Sequence, residues 1–221
     1  MEELKYHYKY PYHYKYPHPA VTTDCVVFGY DGRQLKVLLI ERGNEPDKGK
    51  WAFPGGFLNI DEPADEGARR ELEEETGLTV NDIRQFHTFA NPKRDPRERV
   101  ISIAYYAIVK IQDVKGGDDA AKAAWFDIDD MPELAFDHDL MFNLALKALR
   151  LQALTEPVGT DLLNEKFTLA EINPLYTAIL GETPIDYLTN MGLLVPDGNI
   201  DKQLYKFGAF KLPDNPRQTM P

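Results

Sequence analysis

Residues 56 to 78 read GFLNIDEPADEGARRELEEETGL, and the fold of the chain turns on that stretch. Pro63 suits the first position of a helix, where its missing N–H has no helical partner, and Gly77 suits the residue just past the end. The spacing therefore predicts a helix over 63–76. Glu71, Glu73, Glu74 and Glu75 crowd its second half. Like charges three or four residues apart cost about 0.2–0.5 kcal/mol per pair. At about 100° per residue, Glu74 and Glu75 fall roughly 60° and 40° to either side of Glu71, and Glu73 lies opposite with Glu66 and Arg69. Ala68 and Leu72 form an apolar strip beside the three acids. Gly67 is read as leaving room above them, and Arg70 as a counter-charge within reach.

A solvated acidic face and a cation site both fit an isolated Glu-rich helix. Two features favour the cation site here. The acids border the apolar strip, at the junction of helix and sheet, and they follow the tight turn at Gly55 and Gly56 at a set distance. Hard cations such as Mg²⁺ take oxygen ligands from a few carboxylates, waters and substrate phosphates.

Outward from the helix the pattern is that of a mixed fold. TDCVVFGY and LKVLLIER are β-branched, apolar strands around DGRQ, which reads as a hairpin. VISIAYYAIVKI is a long strand, AAWFDID a shorter one, and DHDLMFNLALKALRLQAL an amphipathic helix. Strands on both sides of a helix predict an α/β or α+β sandwich over residues 20–154. Beyond it the composition shifts, and residues 155–221 carry two short helical stretches, a turn and a strand-like QLYKFGAF, enough for a small helix-turn-helix with a wing. Residues 1–19 form a separate arm built on the direct repeat YHYKYP, whose prolines bar a central strand.

Composition narrows the function. A formal net charge of -11 argues against coating nucleic acid by bulk electrostatics. No run of 18 apolar residues spans a membrane, and the amino terminus lacks a signal pattern, so a cytoplasmic protein is expected. The single cysteine, Cys25, sits in an apolar run and reads as a small core residue.

The run from Gly56 to Leu78 resembles a complete Nudix box, G-x5-E-x7-R-E-U-x-E-E-x-G-U with U aliphatic. Gly56, Glu62, Arg70, Glu71, Leu72, Glu74, Glu75, Gly77 and Leu78 all satisfy it. The resemblance implies an α/β/α sandwich with a mixed sheet and a loop-helix-loop that binds Mg²⁺ or Mn²⁺. Glu74 and Glu75 would be primary metal ligands and Glu71 a third, with Arg70 orienting them and Glu62 supporting the loop. The implied reaction is hydrolysis of a nucleoside diphosphate linked to another group. Glu75 and the loop acids Asp118 and Asp119 of GGDDAA are the candidate bases.

Further along, NPKRDPRERVISIAYYAIV and LAFDHD resemble the ADP-ribose branch of that superfamily. LLNEKFTLAEINPLYTAILGE with a terminal LYKF resembles the winged helix of NrtR-like transcriptional regulators, which implies a homodimer and DNA as a partner. Two departures from that pattern matter. Every box acid is retained, which favours hydrolysis. The interval ETPIDYLTNM, where a basic recognition helix is expected, contains no Lys or Arg. A specific DNA reader needs several phosphate contacts, so packing or dimerisation is an equal reading of this segment.

Arg94, Arg97 and Arg99 follow a turn and are candidates for a bidentate pyrophosphate clamp, with Gly55 and Gly56 as backbone contacts. Trp51 and Phe53 read as core, and His138 as a structural histidine at a helix start.

Overall fold

β1 (Ala20–Tyr30) lies at the heart of the sheet, and its successive side chains divide between two cores. Cys25 and Val27 join Leu38, Tyr105 and Ala107 on one face, where Ala68 and Leu72 of α1 (Ala64–Thr76) cover them. Val26 and Phe28 join Val37 and Leu39 on the other, beneath Met141, Phe142, Ala145 and Leu149 of α2 (His138–Thr155). Such alternation follows from the two-residue period of a strand, and a sheet apolar on both faces must be covered twice. The result is the expected α/β/α sandwich. The computed structural model describes residues 15–117, 120–197 and 204–208.

The sheet is mixed. β1 runs parallel to β6 (Val100–Lys110) along its whole length, from Ala20 opposite Val100 to Tyr30 opposite Lys110, and β5 (Arg84–Phe89) lies antiparallel on the far side of β6. The other edge of β1 is shared. Its carboxyl half pairs with β2 (Leu35–Arg42), Phe28 facing Val37, and its amino half pairs with β4 (Gly55–Phe57), Thr22 facing Phe57. The hairpin read from sequence is present, closed by Asp31, whose carboxylate accepts from the backbone N–H groups of Arg33 and Gln34. β3 (Trp51–Ala52) and β7 (Ala120–Asp127) both pair antiparallel with β2. The edge of β1 thus divides between β2 and β4, and a cleft opens among the ends of these strands and α1.

α1 begins one residue later than the sequence predicts. Pro63 is extended (ψ 151°) at the capping position, and Gly77 ends the helix at φ 70°, where glycine carries no Cβ penalty. Leu72 is fully buried, a burial of the kind that contributes about 1.5–3 kcal/mol.

Beyond α2 come β8 (Phe167–Thr168), α3 (Leu169–Leu180), α4 (Ile185–Asn190), β9 (Leu194–Pro196) and β10 (Leu204–Phe207), with the three strands in one antiparallel sheet ordered β8-β10-β9. Glu171 reaches back to accept from the backbone N–H of Thr168 at 2.7 Å, holding the start of α3. The apolar cluster beneath α2 continues through Val158 into Ile172, Leu175, Tyr176, Ile179 and Leu188. Arg150 donates to the carbonyl of Ile179 and Tyr187 to that of Leu154, so α2 is bonded to both following helices. Among the described residues no helix is long and apolar enough to cross a membrane. Most of the YHYKYP repeat falls outside the described residues.

Candidate active site

The cleft has a volume of about 330 Å³ and is lined by Gly55 and the box residues Gly56, Arg70, Glu71 and Glu75, together with β1, the end of β2 and the loop after β5. Its wall is built around Arg70. The guanidinium grips both oxygens of Glu62 at 2.6 and 3.0 Å, and its Nη1 donates to Glu71 at 2.7 Å and to Glu74 at 3.0 Å. Nη2 also donates to the carbonyl of Phe57. One arginine thereby ties the loop to the helix and bonds three carboxylates at once.

Glu62 also accepts from the backbone N–H of Asn59, and Arg70 holds its carboxyl down at about 2. Glu71 goes the other way: burial raises its pKa despite Arg70 beside it. Its ionised form is therefore under-compensated. Gly56 is the reason Glu71 fits. A Cβ there would stand 2.5 Å from the Glu71 carboxyl group. Gly67 makes room for Leu58 and Glu62 instead of the acids, a correction to the sequence reading. A Cβ at that position would meet Leu58 at 2.6 Å.

Glu75 is buried at 8% exposure, and its Oε2 accepts from the Gly55 N–H at 2.8 Å. Glu73 and Glu74 are exposed, Glu73 away from the cleft and Glu74 turned to Arg70. The three box acids supply only oxygen donors, which suits a hard divalent cation. Among the described residues, however, no three His, Cys, Asp or Glu side chains converge closely enough to hold a metal as they stand. Arg70 spans Glu71 and Glu74 in that role.

The loop after β6 closes the carboxyl end of α1. Gly117 donates to the Glu75 carbonyl at 3.0 Å, so close that a Cβ would lie 1.8 Å from the Glu74 carbonyl oxygen. Asp118 and Asp119 follow directly and lie outside the described residues.

The three arginines named as a clamp separate. Arg94, 5% exposed in its side chain, is bound bidentately by Asp137 at 2.8 and 3.1 Å. Arg97 is bound the same way by Asp95. Both line the cleft. Arg99 donates to the carbonyl of Val100 and is not part of the lining.

Two polar groups of the cleft, Asp24 and Arg42, were not singled out in the sequence. Asp24, 8% exposed in β1, accepts from Ser102 and lies 3.8 Å from Nε2 of His138. His138 accepts from the Phe53 N–H through Nδ1 at 3.0 Å and stacks on the Phe53 ring. Burial lowers its pKa, so it is a neutral structural histidine. Phe53 is core, and Trp51 is half-buried against Phe126. Arg42, at the end of β2, faces the cleft from its own side. An acid inside the apolar run TTDCVV was the visible signal for Asp24; Arg42 had none.

A family model for the NUDIX domain matches residues 5–144. The chain is 43% identical over 122 residues to an ADP-ribose pyrophosphatase of Methanocaldococcus jannaschii, covering 55% of this chain and 70% of that one. It is 32% identical over 168 residues to the ADPR responsive transcriptional repressor NtrR of Acinetobacter baylyi, covering 74% of this chain and 67% of the other. A crystal structure of a MutT/nudix family protein from Enterococcus faecalis superposes with a TM-score of 0.78 at 28% identity, covering 89% of each chain. With the box acids on one helix, the loop locked to it through Arg70 and a family match over more than half its length, the chain belongs to the Nudix family.

Proposed function

We propose that this protein hydrolyses the pyrophosphate of ADP-ribose or a closely related nucleoside diphosphate compound, using Mg²⁺ or Mn²⁺. The observation that carries this reading is the intact carboxylate face of Glu71, Glu74 and Glu75, organised by Arg70 at the wall of a polar cleft. The likeness to an ADP-ribose pyrophosphatase supports the choice of substrate.

Glu74 and Glu75 would hold the metal, with Glu71 as the third carboxylate. The chemistry that the metal supplies when bound is Lewis acidity, which offsets charge on the phosphoryl oxygens and makes water more acidic. Arg70 donates to both Glu71 and Glu74 and so orients the two carboxylates toward one another. Glu75, fixed through Gly55, is the described candidate for accepting a proton; Asp118 and Asp119 remain candidates outside the described residues. Arg94 and Arg97 form the wall on the side of the loop after β5. The test is incubation with ADP-ribose and Mg²⁺ and detection of AMP and ribose 5-phosphate. No turnover across a panel of nucleoside diphosphate compounds, with metal shown to bind, sinks the reading.

A second reading is favoured by the extent of the likeness to a transcriptional repressor, which runs past residue 154. Residues 155–221 would then form a winged-helix unit, with 20–154 as the sensor, and the protein would act as a homodimer on DNA. The order of β8, α3, α4, β9 and β10 agrees with such a unit. Its charge does not favour DNA. α4 has six residues and an acid in its first turn, and Lys166 and Lys206 both face Asp197, at 2.6 and 3.9 Å. A gel shift on the upstream region of the gene, with and without ADP-ribose, decides; no shift at low salt rejects this reading.

A further inference from the structure

The chain that leads into β1 leaves the sheet beside an uncovered patch. The Ala20 N–H donates to the Arg99 carbonyl at 3.0 Å, and the Val21 carbonyl accepts from the Leu58 N–H at 2.9 Å. Thr22 faces Phe57 in the antiparallel pairing of β1 and β4, so residues 58–60 run back along the chain that precedes β1. At this corner Phe57 is 44% exposed and Ile60 42%. The guanidinium of Arg97 lies 5.5 Å from the centre of the Phe57 ring and still leaves it this open. Charge beyond the patch is unbalanced. Glu62 is taken by Arg70 and Asp65 by Arg69, whereas Asp61 and Glu66 are exposed and, among the described residues, have no Lys or Arg within salt-bridge distance. The patch is thus apolar at Phe57 and Ile60 and anionic in the loop and first helical turn that follow.

The sequence supplies a complement. Residues 1–14 lie outside the described residues, and from Leu4 to Pro19 the chain carries Lys5, Lys9 and Lys15 with no acid. In YHYKYP the tyrosines alternate with His7 and Lys9, so an extended run would present Tyr6, Tyr8 and Tyr10 on one side and the histidine and lysine on the other. Fully extended, residues 1–14 reach about 46–50 Å. That is ample for a return over a patch beside their own exit. Residues 209–221 leave instead from β10, where Gly208 donates to the Leu193 carbonyl.

We propose that this patch is the docking surface of the chain's own amino-terminal segment, residues 1–14, with tyrosine rings seated on Phe57 and Ile60 and lysines turned to Asp61 and Glu66. Tyrosine brings a large apolar area with one polar edge, which suits a patch that is apolar at its centre and wet at its margin. Opposite charges at a solvated margin contribute little binding energy each, but they select the partner. Phe57 and Asn59 also line the cleft, so the docked segment borders its mouth. The inference is independent of what the cleft hydrolyses.

The experiment is photo-crosslinking of the full chain carrying Ile60→p-benzoylphenylalanine, with unlabelled and ¹⁵N-labelled chains mixed in equal amounts and the digests read by mass spectrometry. The expected result is crosslinks from position 60 to residues 1–14 of the same chain. Their yield should fall several-fold in K5E/K9E and in high salt, where exposed charges are screened. If the bulky group disturbs the loop, hydrogen exchange carries the test: the peptide spanning 57–66 must exchange faster in K5E/K9E than in the parent. Four results overturn the proposal. They are crosslinks that miss residues 1–14, crosslinks to residues 209–221, crosslinks joining labelled to unlabelled chains, which make a second copy the occupant, and yield or exchange indifferent to K5E/K9E.

Discussion

Arg70 and Glu62 meet through two parallel hydrogen bonds, Nη2 to Oε1 at 2.6 Å and Nε to Oε2 at 3.0 Å, and the same guanidinium then reaches Glu71 and Glu74. Lysine cannot form that fork, because its ammonium is a point charge on a flexible stem. Arg70→Lys is therefore expected to lower stability by about 1–3 kcal/mol and to reduce turnover together with metal affinity. Urea unfolding and a metal titration check this; an unchanged midpoint would show that the loop is held some other way.

The same pair sets a dependence on acid. The folded-state pKa of Glu62, about 2, is depressed below its ordinary 4.5. Its contribution is thus fully present above pH 4.5 and is lost as pH falls toward 2. Glu62→Gln should flatten the rise of stability with pH across that window while lowering stability at pH 7. Unfolding curves recorded at several pH values between 2 and 5 measure the difference.

Glu71 has the opposite sign. Burial raises its pKa, so the ionised form opposes folding, and that cost grows as pH rises through the folded value. Glu71→Gln should raise the melting temperature of the metal-free protein at pH 7 by a few degrees and still lose most turnover. A lower melting temperature would mean that the bond from Arg70 outweighs the burial.

Glu73 and Glu74 are both exposed and adjacent, yet only Glu74 turns to Arg70. Glu74→Gln should cut turnover by about a hundredfold or more with the fold intact. Glu73→Gln should leave turnover and metal binding within twofold of the parent. Equal losses in the two variants would contradict the helix orientation.

Neighbouring glycines are expected to fail differently. A Cβ at Gly55 would lie 2.2 Å from the Thr23 carbonyl oxygen, fixed backbone, whereas one at Gly56 would press on the end of the Glu71 side chain. Gly55→Ala should destabilise by several kcal/mol, in line with overpacking of backbone. Gly56→Ala should displace Glu71 and cost activity with a much smaller loss of stability. Melting and turnover measured on both variants separate these outcomes.

What the sequence by itself determined is local. A helix ending at Thr76, the strip of Ala68 and Leu72 and the β1–β2 hairpin follow from repeats of 3.6 and 2 residues and from turn residues, and each stands in the structure. The start of α1 was misjudged by one residue, since proline is at home on either side of a helix boundary. Tertiary structure alone decided which charges cancel. Arg94 meets Asp137 across 43 residues, Glu75 finds the N–H of Gly55 across 20, and Arg42 is left facing the cleft beside Phe136. A side chain's partner depends on which distant segments the sheet and its loops bring together, and no periodic pattern in the chain carries that information.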